Sequence, residues 1–201
     1  MYKKILVLFI FALVGLVLNT IPVNAQSVKE PSSGVEFPGQ VSVGGANATI
    51  TGTGIRKKYG FKVYAIAAYL DTAKANKQQD PITRMLTDGP AKQIIMHFVR
   101  DVGAAKVREA FQESLEKNIP TYATSPAKKD AEAFLAAVTD VSTNDEIQLR
   151  WTQGGKLEMI IKGQTKATFQ NQVLARGVWS IWLGESPISG DIKTGLIEKI
   201  K

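Results

Sequence analysis

From residue 35 onward, apolar and polar side chains alternate with two distinct periods. Short stretches of period two predict strands over residues 35–43 and 48–58, joined by the turn at Gly44-Gly45. The run FKVYAIAAYL, residues 61–70, is apolar at odd and even positions alike, which predicts a strand buried on both faces. Asp80-Pro81 opens a short helix reaching about Thr87, and residues 93–100 read as another strand. Val107, Phe111, Ser114 and Leu115 recur at helical spacing within residues 104–118, among Lys, Arg, Gln and Glu. A further helix is expected over 130–138. Three short antiparallel strands, 146–152, 156–162 and 165–169, turn at Gly154-Gly155 and Gly163-Gln164. Residues 171–183 form an apolar helix that stops at Gly184. The last helix opens at Ser186-Pro187 and aligns Ile188, Ile192, Leu196 and Ile200.

Strands, two central helices, more strands and two final helices make an α+β domain. An antiparallel sheet covered on one face by helices is the natural architecture, with a pocket between the layers.

The amino terminus follows a different pattern. Lys3-Lys4 precedes an apolar run of about 14 residues, too short for the roughly 20 needed to span a bilayer. Val23 and Ala25 are small residues at the right offsets before Gln26. This is the layout of a signal peptide, residues 1–25, cleaved after Ala25. The protein is therefore expected to be exported, to the periplasm of a Gram-negative host or otherwise secreted, with no stable membrane anchor afterwards. A polar stretch, 26–34, then reads as a flexible lead-in to one domain, 35–201.

Composition narrows the chemistry. There is no cysteine, which excludes disulfide staples, zinc thiolate sites and thiol catalysis. His97 is the sole histidine, so no multi-histidine metal site can form, and no metal or cofactor is expected. The chain carries 25 Lys and Arg against 18 Asp and Glu, a net charge of +7. Basic residues are scattered, Lys57-Lys58 and Lys128-Lys129 being only pairs. They suggest a weak preference for acidic ligands or anionic membrane, and no nucleic-acid stripe interleaved with aromatics is visible.

One polar group stands out. Arg56 lies beside the apolar strand 61–70, after Gly52-Thr53-Gly54, and Tyr64 supplies a hydroxyl eight residues on. A guanidinium cannot lose its charge inside a protein and needs compensation there. Two readings are open: an arginine at a strand end facing solvent, or a fixed anion receptor in which arginine and phenol share one carboxylate. His97, inside IIMHFV, reads as a core or half-buried residue without a nucleophile partner. Trp179 and Trp182 read as core, although one could line a pocket.

The stretches GTGIRKKYGFKVYAIAAYL (52–70), HFVRDV (97–102) and WLGESPISGDIKTGLI (182–197) together resemble the chalcone isomerase-like family. The resemblance covers about Val35 to Ile200 and implies an open-faced β-sandwich, a long antiparallel sheet covered by a layer of helices. That family holds true isomerases, which close a chalcone to a flavanone, and fatty-acid-binding proteins of the same fold. Arg56 matches the arginine of both kinds. Tyr64 stands where isomerases have threonine and matches the tyrosine of the binding proteins. The isomerase tyrosine and asparagine fall nearest Gly103 and Ala110, and a third hydroxyl position falls on Ile181.

The resemblance therefore implies a non-catalytic, monomeric binding protein for a fatty acid or similar amphipathic acid. Arg56 and Tyr64 would hold the carboxylate. The small residues Ala65, Ala67 and Ala68 would leave room for the tail, lying along Phe98, Phe111, Val178 and Trp182. The alternative is an intramolecular lyase or isomerase acting on a chalcone-like phenolic or enone substrate, with Arg56 as its catalytic cation. A partner-binding module with a collapsed pocket is the third reading.

Overall fold

The computed structural model describes residues 26–201. The expected signal peptide, residues 1–25, lies outside the described residues. At the centre is a seven-stranded antiparallel sheet whose strands follow one another in sequence order. It comprises β3 (Gln40–Val43), β4 (Ala46–Lys58), β5 (Phe61–Leu70), β6 (Lys92–Phe98), β7 (Glu146–Thr152), β8 (Lys156–Ile161) and β9 (Gln164–Gln170). Between β5 and β6 runs α1 (Pro81–Leu86), capped by Asp80. Between β6 and β7 run α2 (Ala104–Asn118) and α3 (Lys128–Ala136), and α4 (Gln172–Leu183) and α5 (Gly190–Leu196) follow β9.

The apolar parity of β5 has the expected meaning. Tyr64, Ile66, Ala68 and Leu70 face the helical layer, joining Ile94, Met96, Phe98, Leu149 and Trp151 in the main core. Ala65, Ala67 and Tyr69 face the other way, into a smaller core with Phe37, Val43, Ala48 and Ile50. In α4 the apolar residues lie all round, and nine of its twelve are buried, as expected of a helix sunk between sheet and outer helices. Its Asn171 caps the first turn by accepting from the Leu174 amide at 3.1 Å. Trp179 meets Trp151 edge-on, with centroids 5.4 Å apart.

Four local details differ from the sequence expectation. The strand expected over 35–43 is divided into β2 (Glu36–Phe37) and β3, because Pro38 between them has no amide to donate. Residues 26–34, expected to be a flexible lead-in, contain β1 (Val28–Lys29), paired with β2. Glu30 organises the turn between them by accepting from the Ser32 and Ser33 amides. Helix α3 sits two residues earlier than the periodicity suggested. The last helix begins at Gly190, capped by Ser189, because Ile188 is held outside it by donating its amide to the Ile181 carbonyl at 2.8 Å.

Gly52 and Gly54 have a purpose the sequence left open. A Cβ on Gly52 would stand 1.9 Å from the Gly195 carbonyl oxygen, and one on Gly195 would stand 2.4 Å from that of Thr53. The glycines let α5 lie directly on the β4 backbone, where the Thr51 hydroxyl reaches the Leu196 carbonyl at 2.6 Å. The room they leave is filled by the chain's own helix.

Lys92, at the start of β6, is fully buried. Its ammonium bonds the Thr87 carbonyl and lies 4.0 Å from the Trp151 ring centroid. Burial pulls its pKa from 10.5 down to about 7, against the opposing pull of Asp88. Between those values the unfolded chain holds a proton that the folded one has released. Stability therefore rises with pH from about 7 upward, and the penalty is complete below that. Lys92→Met should gain on the wild type at pH 6, and that advantage should shrink by about 3 kcal/mol at pH 9. Thermal melts of both proteins at the two pH values measure it; an offset independent of pH would contradict it.

Candidate functional site

In the antiparallel ladder, Arg56 of β4 stands directly opposite Tyr64 of β5. Directly opposed residues project from the same face of a sheet, so both side chains rise toward the helices. There they meet a cleft of about 490 Å³ between the β4–β6 end of the sheet and the first turns of α2. That volume lies within the usual range for small-molecule sites. Its apolar wall includes Val63, Met96, Phe98, Val102, Val107 and Phe111.

Tyr64 closes the inner end. It is only 5% exposed, and its hydroxyl oxygen accepts the indole N–H of Trp182 at 3.0 Å. Burial pushes the phenol up to about 12, while the Trp182 bond and the nearby Arg56 charge pull it partly back. Tyr64 thus stays neutral at ordinary pH and keeps its proton. With the indole already donating to its oxygen, the phenol's remaining strong role is as a donor.

Arg56 is half-buried, and its Nη1 donates to the Ile188 carbonyl at 3.1 Å. Among the described residues, no carboxylate lies within ion-pairing distance of it. A guanidinium has five N–H donors, so most of its capacity remains for a ligand. The α4–α5 loop thus orients the arginine without neutralising it. The polar rim adds Lys58, Arg100 and Lys106, with Asp101 and Glu109 as the acidic members.

The structure brings together four of the six residues expected at the site: Arg56, Tyr64, Phe98 and Phe111. Trp182 lies beneath the floor, bonded to Tyr64 and edge-on to Phe111 at 5.9 Å. Val178 lies in the core between the layers and does not reach the cleft. The alanines expected to make room for a tail do not line it either. Ala65 and Ala67 face the opposite core, and Ala68 is covered by the helical layer. Met96, Val102 and Val107 were not anticipated; the alternation of β6 and the 104–118 helical period contain the signal for Met96 and Val107. Gly103 and Ala110 do line the cleft, whereas Ile181 is buried in the core.

A broader cleft of about 780 Å³ opens on the outer side of the helices, near Leu86, Ile119, Val173 and Arg176. Two of its cations are engaged internally: Lys193 donates to the Gly184 carbonyl at 2.6 Å and Lys117 pairs with Glu113 at 2.7 Å. Among the described residues, no cluster of His, Asp or Glu suited to a metal ion is found.

Comparison with known proteins agrees with this fold. No curated protein matches the sequence significantly. Among solved structures, the crystal structure of a fatty-acid binding protein from Arabidopsis thaliana superposes with a TM-score of 0.72 at 21% identity. The match covers 87% of this chain and 97% of that one. At that identity the likeness establishes the shared fold, a curled antiparallel sheet with a helical layer. The model of the family described as chalcone isomerase-like matches residues 29–198, and the chain belongs to the chalcone isomerase-like family.

Proposed function

We propose that this protein binds a fatty acid or a similar amphipathic carboxylate, without catalysis, in the cleft that ends at Arg56 and Tyr64. One observation carries the reading: a half-buried arginine without a carboxylate partner stands beside a neutral phenol whose proton is free, at the end of an apolar cleft. An arginine and a hydroxyl donor together suit a carboxylate. Burying each methylene of the tail contributes about 0.8 kcal/mol before ordering costs, which favours many apolar ligands alike. Selectivity for the acid must come from the head group. The Arabidopsis structure is that of a fatty-acid binding protein, which is consistent with this reading.

The isomerase alternative needs polar groups placed around the reacting atoms. The positions that the resemblance assigns to them are Gly103, Ala110 and Ile181, and none offers a side-chain hydroxyl or amide. Export belongs to the same proposal. A leader cleaved after Ala25 would deliver the binding domain out of the cytoplasm, and amino-terminal sequencing of the mature protein should begin at Gln26.

Titration calorimetry tests the binding. A long-chain acid should bind distinctly more tightly than its methyl ester. Arg56→Ala should weaken acid binding by about 2–5 kcal/mol, since it leaves a desolvated carboxylate without its counter-charge. Equal affinity for acid and ester, or an unaffected Arg56→Ala, would refute the assignment. Saturable acceleration of chalcone cyclisation that disappears in Arg56→Ala would favour the isomerase instead.

Tyr64→Phe has a second, ligand-independent effect. It deprives the buried Trp182 N–H of its acceptor and should lower folding stability by about 1–3 kcal/mol in urea melts. No change would mean that the indole finds another partner.

A further inference from the structure

The β4–β5 hairpin ends in a tip whose sequence, RKKYGFK, residues 56–62, contains no acid. Its turn is Tyr59-Gly60, with φ of 51° and 81°, between the paired residues Lys58 and Phe61. Two positive φ values make this a tight turn of the primed type, whose first central position favours Asn, Asp or Gly. A tyrosine there is locally unfavourable. Tyr59 is 88% exposed and Phe61 63%, so two of the three large apolar side chains exposed among the described residues sit on this one tip.

Cations cluster on the same protrusion. Lys57 and Lys62 are directly opposite each other in the ladder, a placement that like charges disfavour. Lys58 lies 5.6 Å from the Tyr59 ring centroid, and Arg100 lies 5.1 Å from that of Phe61. Lys106 extends the basic side across the cleft, with Asp101 and Glu109 the acids nearby. Strain, exposed rings and clustered cations on one protrusion point to a ligand surface outside the molecule.

We infer that this tip docks the protein reversibly on an anionic phospholipid bilayer. Amphipathic aromatic rings settle at the headgroup level, and each nearby Lys or Arg adds attraction to an anionic leaflet. Two rings on a narrow hairpin suit that interface. They are too little for a stable protein partner, which typically covers about 800 Å² on each side. Lys58, Tyr59 and Phe61 also line the mouth of the Arg56 cleft. Docking therefore sets the mouth against the lipid, and an amphipathic acid passes between bilayer and cleft without crossing open water. That last step rests on the proposed carboxylate function; the docking does not.

Sedimentation with vesicles free of fatty acid separates the two. The wild type should bind vesicles of phosphatidylcholine with roughly one third phosphatidylglycerol at least about tenfold more tightly than pure phosphatidylcholine, and added salt should weaken the binding. Lys57→Gln with Lys58→Gln should remove about tenfold of the binding to the anionic vesicles. Tyr59→Ser with Phe61→Ser should lose about tenfold or more, with thermal melts showing that these exposed changes leave the fold intact. Val173→Ser, an exposed apolar position away from the tip, should sediment like the wild type. Failure of the wild type to bind anionic vesicles would overturn the inference. Binding that survives the loss of both rings would overturn it as well. Vesicle binding without calorimetric binding of the acid would instead count against the carboxylate reading alone.

Discussion

The cleft depends on a hydrogen bond between two residues far apart in sequence, the indole of Trp182 and the phenol of Tyr64. Trp182 belongs to the most deeply buried helix and Tyr64 to a central strand, so the bond fixes the spacing between helical layer and sheet at the inner end of the cavity. It also decides chemistry. An oxygen that already accepts from an indole, in a place where burial keeps the phenol protonated, presents its hydrogen to a ligand. The partner cation has the complementary arrangement. Arg56 is aimed by a backbone carbonyl, which orients a guanidinium without cancelling its charge.

Much of the fold can be read from the periodicity, because most strands and helices have one face in a core. Strand Phe61–Leu70 is the clearest instance: apolar residues on both parities required two cores, and the structure has both. Boundaries were less legible where a single backbone bond decided them. Ile188 fits an apolar helical stripe, but its amide is committed to Ile181 and its carbonyl to Arg56, so the helix starts later.

For the site, Arg56, Tyr64, Phe98 and Phe111 were legible because charge and aromaticity are conspicuous in apolar sequence. The small residues misled. Glycine and alanine announce a close approach without saying what approaches. At Gly52 it is the backbone of the last helix, and at Ala65 and Ala67 it is the second core. Trp182 misled differently. It acts on the site from underneath, by holding Tyr64, and spacing along a helix does not distinguish a wall from a floor.

Arg56 and the carbonyl that aims it are 132 residues apart. Ile188 follows every strand of the sheet in sequence, so the carbonyl that aims Arg56 is among the last parts of the site to be synthesised. A nascent chain that has emerged only through its sheet strands already carries the arginine, but nothing yet points it into the cleft. The arrangement proposed to hold a carboxylate thus belongs to the finished tertiary structure, and a partly synthesised chain does not have it.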